Sequence, residues 1–249
     1  MIVAVTSWRG VGTTTTALLL AASFAERDLT WLVEADPAGG VLAGRIHFEP
    51  SAIGGLERIA FPVDQLDSAS AFAAVAHPIG QLRVVAAPAD PFRAYACHAP
   101  RWPWQAALRE LAGSVVVDVG RLRAATPAWP LLEMADAIVL VVSPEVSAAV
   151  ASVEWLRASG RVSPMDRGLE AKPVRVAAVD APAGVAFGRD ALERELGEQF
   201  GAWLPWDPTA VDGVHRGVGA SDRRHRRSGL FAAAARLAAS IPQHEEVAA

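Results

Sequence analysis

Cysteine is almost missing from this sequence. Cys97 stands alone among 249 residues, which excludes an internal disulfide and fits a reducing compartment. Lysine is equally scarce: of 23 basic residues only Lys172 is one, so arginine carries nearly all the positive charge. No apolar run has the length of a bilayer span, the run at 17–25 being too short. The start lacks the basic segment, apolar stretch and small-residue cleavage site of a secretory leader. A soluble, cytoplasmic protein is expected. The six histidines show no metal-ligand spacing, and no internal repeat is present. A net charge of -4 gives no global pull toward nucleic acid or anionic membrane, so binding of either kind would need a local patch.

What is present is an apolar chain, 52% hydrophobic, long enough for a substantial core. Short β-branched runs recur at 2–6, 31–36, 82–88, 114–120, 137–144 and 174–180 and read as doubly buried parallel strands. Helical segments are expected at 13–27, 103–112, 145–159, 188–199 and 229–240. This alternation predicts an α/β fold: a doubly wound, mostly parallel sheet with helices on both faces. Gly54, Gly55, Pro62 and Pro78 break up the stretch 39–81, which should add one or two short helices over a sheet edge. No domain boundary is evident, so 1–249 reads as one domain with 242–249 as a disordered tail. Ligands of such sheets sit beyond the carboxyl ends of the strands, where the loops after residues 6, 36, 118, 142 and 180 converge.

The segment "VTSWRGVGTTTTALLLAA" at 5–22 has the outline of a phosphate-binding loop. In such loops glycines let backbone N–H groups curl round phosphate oxygens, a helix N-terminus adds its dipole, a lysine neutralises charge, and the next hydroxyl holds magnesium. Gly10, Val11, Gly12, Thr14 and Thr15 supply every part but the lysine, whose place is taken by Thr13. The glycine turn by itself also has a plainer reading as a tight strand-to-helix connection.

The segment resembles the deviant Walker A loop of the ParA/MinD family, K-G-G-x-G-K-[ST]-[ST], with Trp8 at the signature lysine, Arg9 at the first glycine and Thr13 at the phosphate lysine. Other segments match in order along residues 2–240. "VEADPAGG" resembles the D-x-D-P-x-G switch segment, with Glu34 at the first aspartate and Asp36 at the second. "VVVDVGR" resembles the Walker B strand end, with Asp118. "VVSPEVSAAVAS" is similar to the strand and helix that follow, and "LPWDPTAVDGVHRG" to the C-terminal element. Actinobacterial MinD-like proteins with a "GVTTTA" type loop, whose relatives include TadZ/CpaE-like proteins of pilus and secretion machinery, are the nearest resemblance.

The resemblance implies a P-loop fold and a set of roles. Arg9 to Thr15 would cradle phosphates, Thr14 and Asp118 would hold magnesium with Glu34 in its outer shell, and Asp36 would position water. Pro205 and Asp207 would flank adenine, and Asp180 stands where an asparagine reads the base edge. Without the lysine, ATP and magnesium are expected to bind weakly, with little or no hydrolysis unless Arg9 supplies the charge. Family members dimerise across their phosphate loops, so a homodimer is expected, with Trp8 in the contact or else folded over its own loop. The expected function is spatial organisation or assembly through protein partners, of which pilus or secretion machinery is one class. The alternatives are a slow magnesium-dependent ATPase switch and a non-specific DNA-binding partition protein.

That last reading rests on "DRRHRR" at 222–227, where Arg223, Arg224, Arg226 and Arg227 form either a phosphate-binding patch or a solvated loop. Trp102 and Trp104 flank Pro103 ahead of a helix and read as packing residues. The chain closes with "SIPQHEEVAA", unlike the basic amphipathic helix with which MinD proteins dock on membranes, so no direct membrane anchor is expected.

Overall fold

All six runs read as strands lie side by side in one sheet. The computed structural model describes residues 1–46, 55–63, 67–100, 102–123, 125–162, 172–180, 188–216 and 227–242. Its strands are β1 (Ile2–Ser7), β2 (Thr30–Glu34), β3 (His77–Ile79), β4 (Leu82–Val85), β5 (Ser114–Arg121), β6 (Ala137–Val142), β7 (Val174–Val179) and β8 (Phe200–Leu204). They form an eight-stranded sheet in the order β3-β4-β2-β5-β1-β6-β7-β8. Pairing is parallel except at the edge, where β3 runs antiparallel to β4. The chain leaves β1 for β2, two places away, and β5 later fills the gap. The carboxyl ends of these three strands therefore meet at the point where the winding reverses, the place where open α/β sheets bind ligands.

Both faces of the central strands are apolar. Ile2 and Ala4 face one core with Val115, Val117 and Val119, while Val3 and Val5 face the other with Val116. The first core is closed by α3 (Gly55–Ala60), α4 (Ser68–Val75), α6 (Trp104–Ala107), α7 (Trp129–Met134), α8 (Val146–Val162) and α9 (Arg189–Leu196). The second is closed by α1 (Thr13–Phe24), α2 (Leu42–Arg45), α10 (Pro208–His215) and α11 (Gly229–Ser240). One further short helix, α5 (Pro91–Ala96), follows β4. Because α1 lies against β5 and α11, its residues Ala17 to Ala21 are all buried, and it reads as an apolar run with little sidedness.

Two strands differ from expectation. β3 and β8 are edge strands with half-buried residues, so neither has the continuous apolar signature of the interior. The stretch 39–81 carries three short helices and β3, more structure than expected there. Among the described residues no helix is long and apolar enough to cross a membrane.

The tryptophans beside Pro103 do pack. Trp104 is fully buried, donates its indole N–H to the Cys97 carbonyl at 2.8 Å and meets His98 edge-on, and Trp102 lies against the same core. Trp104→Ala should destabilise the protein by about 3–5 kcal/mol in urea unfolding; a loss below about 1 kcal/mol would contradict this packing role.

Candidate functional site

The turn after β1 forms the first half of the site. Gly10 and Gly12 have φ of 74° and 87°, a left-handed backbone that a Cβ would strain, and Gly12 is the N-cap of α1. The first hydrogen bond of α1 runs from the Thr16 N–H to the Gly12 carbonyl at 2.9 Å, so the amides just before Thr16 have no helical acceptor. Those donors and the positive end of the helix dipole make a cradle for anions. At the lysine position, Thr13 is 5% exposed and donates its hydroxyl to Ser7 Oγ at 2.7 Å. Ser7 Oγ also accepts the Gly10 N–H at 2.8 Å. Thr13 thus pins the start of α1 to the end of β1 and brings no charge.

The second half is a row of carboxylates. Asp118 on β5 is fully buried; its Oδ1 accepts the Gly120 N–H at 3.0 Å, while Oδ2 has no hydrogen-bond partner. Burial pushes its pKa up to about 6, although the Thr14 hydroxyl beside it and the Gly120 amide pull the other way. A buried, unsatisfied carboxylate oxygen near a hydroxyl is a donor set that suits magnesium, which takes few protein ligands and completes its shell with water and phosphate. Thr14 and Asp118 are the residues that would hold that ion.

Glu34 is in register with Asp118 on the neighbouring strand. Its Oε1 accepts the N–H groups of Val41 and Leu42 at 2.6 and 3.0 Å, and Oε2 accepts that of Ala87 at 3.0 Å. Burial and then the charge of Asp118 raise its pKa to about 7, against the pull of those three amides. Both oxygens hold loops, so Glu34 works as a clamp on the 36–42 segment. Asp36 accepts the Ala38 N–H at 2.8 Å and lies on Gly120, where a Cβ would come within 2.0 Å of Asp36 Oδ2. Gly120, at φ 66°, is therefore what lets Asp36 settle beside the β5 strand end.

Trp8 and Arg9 form one wall of a groove of about 380 Å³ whose other wall is the start of α8, from Glu145 to Ser152. Arg9 is exposed and Trp8 half-buried. The Trp8 carbonyl accepts the Nε–H of Arg121 at 3.1 Å. Across the loop lies a mainly apolar cavity of about 370 Å³, between Gly12, Thr15 and Leu19 on one side and Pro205 to Pro208 on the other. Asp207 lines it, but its carboxylate caps α10 through the Ala210 N–H at 2.9 Å and accepts the Ser228 hydroxyl at 2.8 Å. Asp180 follows β7, its N–H bonded to the Leu204 carbonyl at 2.9 Å, and Val179 rather than Asp180 reaches the cavity wall. Arg223, Arg224 and Arg226 lie outside the described residues, as do 243–249; Arg227 is exposed.

Sequence reasoning missed Ser7, Arg121 and Arg45. Ser7 and Arg121 matter through cross-strand placement, which no local motif announces. Arg45, also on the cavity wall, sits on a four-residue helix with no periodicity to read.

The state of Asp118 gives a pH prediction. Because its carboxyl is harder to ionise folded than unfolded, its contribution to stability is full below 3.8 and lost as pH rises through about 6. Asp118→Asn keeps an oxygen for the Gly120 amide and removes the buried charge. It should stabilise the metal-free protein at mildly alkaline pH by up to about 3 kcal/mol and flatten part of the decline between those limits. A variant less stable than wild type in alkaline urea unfolding would contradict the buried charge.

No protein-family model matches the chain, and no curated protein matches it in sequence. Solved structures do match. The cell division ATPase MinD of Pyrococcus furiosus superposes with a TM-score of 0.72 at 16% identity, over 96% of this chain and 97% of that one. MinD of Pyrococcus horikoshii complexed with Mg-ADP gives 0.70 at 16%, over 96% and 95%. The MinC:MinD complex of Aquifex aeolicus gives 0.66 at 17%, over 98% of each. With its parallel sheet, glycine turn and strand-end carboxylates, this chain has the P-loop fold of the MinD and ParA ATPases.

Proposed function

We propose that the protein is a MinD/ParA-like spatial-organisation or assembly factor with a degenerate nucleotide site, acting mainly through dimerisation and partner binding. One observation carries this reading: at the lysine position the Thr13 hydroxyl is buried and bonded to Ser7, so the loop has lost its own phosphate cation. Loss of a charge-assisted phosphate contact removes about 1.5–3 kcal/mol, or about one to two powers of ten in affinity. Turnover suffers more, because phosphoryl transfer depends on positioned positive charge around the γ-phosphate.

The groove beside Trp8 and Arg9 supports the partner-binding half. Both side-chain types are enriched at interface hot spots, and the resemblance implies subunits that face each other across the loop that carries them. MinD of Aquifex aeolicus is seen in complex with MinC, a precedent for a protein partner on this fold. Pilus or secretion machinery is the partner class the nearest resemblance suggests. A second reading, a slow magnesium-dependent ATPase, is favoured by the open Asp118 oxygen beside Thr14. A third, non-specific DNA binding, rests on the arginine run and requires salt-sensitive retention by DNA.

Two measurements test the proposal. Wild-type protein with ATP and magnesium should hydrolyse at background, while Thr13→Lys should raise nucleotide affinity about ten-fold or more; robust wild-type turnover, abolished in Arg9→Ala, would show that Arg9 had taken the lysine's role. In sedimentation without nucleotide, wild type should be dimeric at tens of micromolar and Trp8→Ala should shift toward monomer. A wild-type monomer, or a dimer indifferent to the substitution, would reject this interface.

A further inference from the structure

We propose that Arg45, on α2 at the wall of the cavity between α1 and α10, supplies the positive charge that the loop lacks to the phosphates of a nucleotide seated there. The inference rests on the degenerate-site reading and adds the residue that compensates for it.

Among the described residues three arginines stand near the glycine turn, and they face different tasks. Arg9 borders the groove against α8. Arg121 donates to the Trp8 carbonyl. Arg45 alone of the three lines the cavity that also contains Gly12, Thr15 and Thr16 at the start of α1. It is exposed, and among the described residues its guanidinium forms no ion pair. Burial and then the charge of Arg45 lower the pKa of His215.

His215, on α10, lines the same cavity and has a buried Nε2 with no hydrogen-bond partner. An unmet polar atom in a mainly apolar chamber, with an exposed guanidinium at its edge, is the donor set of a ligand that is apolar at one end and anionic at the other. The arm that carries Arg45 is also fixed. Glu34 holds the amides of Val41 and Leu42 at the head of α2, and the Arg45 N–H closes on the Val41 carbonyl at 3.1 Å. A guanidinium presented from a clamped helix can bind phosphate in a bidentate way without entering the loop.

The test compares ATP with adenosine, in the presence of magnesium, by ligand-observed NMR titration of wild type, Arg45→Gln, Arg45→Lys and Thr13→Lys. Arg45→Gln should weaken ATP binding about ten- to hundred-fold and leave adenosine unchanged. Arg45→Lys should retain most of the ATP affinity, and Thr13→Lys should make ATP binding less dependent on residue 45 when the two substitutions are combined. Equal effects of Arg45→Gln on ATP and adenosine, or none on either, would overturn the assignment while leaving the degenerate-site reading intact. Wild type that ignores ATP, beside Thr13→Lys that binds it, would also overturn it. Tight wild-type ATP binding indifferent to residues 9 and 45 would contradict both.

Discussion

Two carboxylates buried side by side at the ends of adjacent parallel strands are the constraint around which this site is built. Ionised groups in an apolar interior are costly unless partnered, and the chain meets that cost differently at each. Glu34 is surrounded by three backbone amides, and the loops that donate them are fixed in return. Asp118 keeps one oxygen without a partner. The arrangement is asymmetric: one carboxylate holds the scaffold, and the other keeps an open oxygen. The Glu34 carboxyl thereby joins the amides of Val41 and Leu42 to that of Ala87.

On the opposite side of the same strand ends the chain has changed in the contrary sense. A loop that would ordinarily place a lysine among phosphate oxygens has a threonine whose hydroxyl is bonded to that of Ser7 on β1. The cradle keeps its shape because that shape depends on Gly10, Gly12 and the start of α1, none of which needs the lysine. Charge and geometry are separable here, and the protein retains the second without the first. Among the described residues no arginine occupies the lysine position, where Thr13 is 5% exposed.

How much of this the sequence discloses follows from the physics of each element. Interior strands are apolar on both faces, so their runs are continuous and their order along the chain gives the fold. β3 and β8 lie at the sheet edges with half-exposed residues, and their patterns merge with loop sequence. Asp36 and Asp118 drew notice through the resemblance of their segments to a switch loop and a Walker B strand end. Glu34 entered the same way, but its part as a clamp was not readable, since its partners are amides in distant turns. The resemblance sets Asp207 beside a base, and what it leaves unread is that the carboxylate also caps α10 and ties it to α11. Ser7, Gly120 and Arg45 depend on register and on how short helices settle, which only the assembled sheet decides.

The central claim is that the surviving half of the site is the metal half. Calorimetric titration of wild-type protein with ATP, with and without magnesium, tests it most directly. Because the open Asp118 oxygen lies near Thr14 and no lysine serves the phosphates, the account predicts weak binding that falls at least about ten-fold when magnesium is removed. Tight binding of ATP in the absence of magnesium would contradict it.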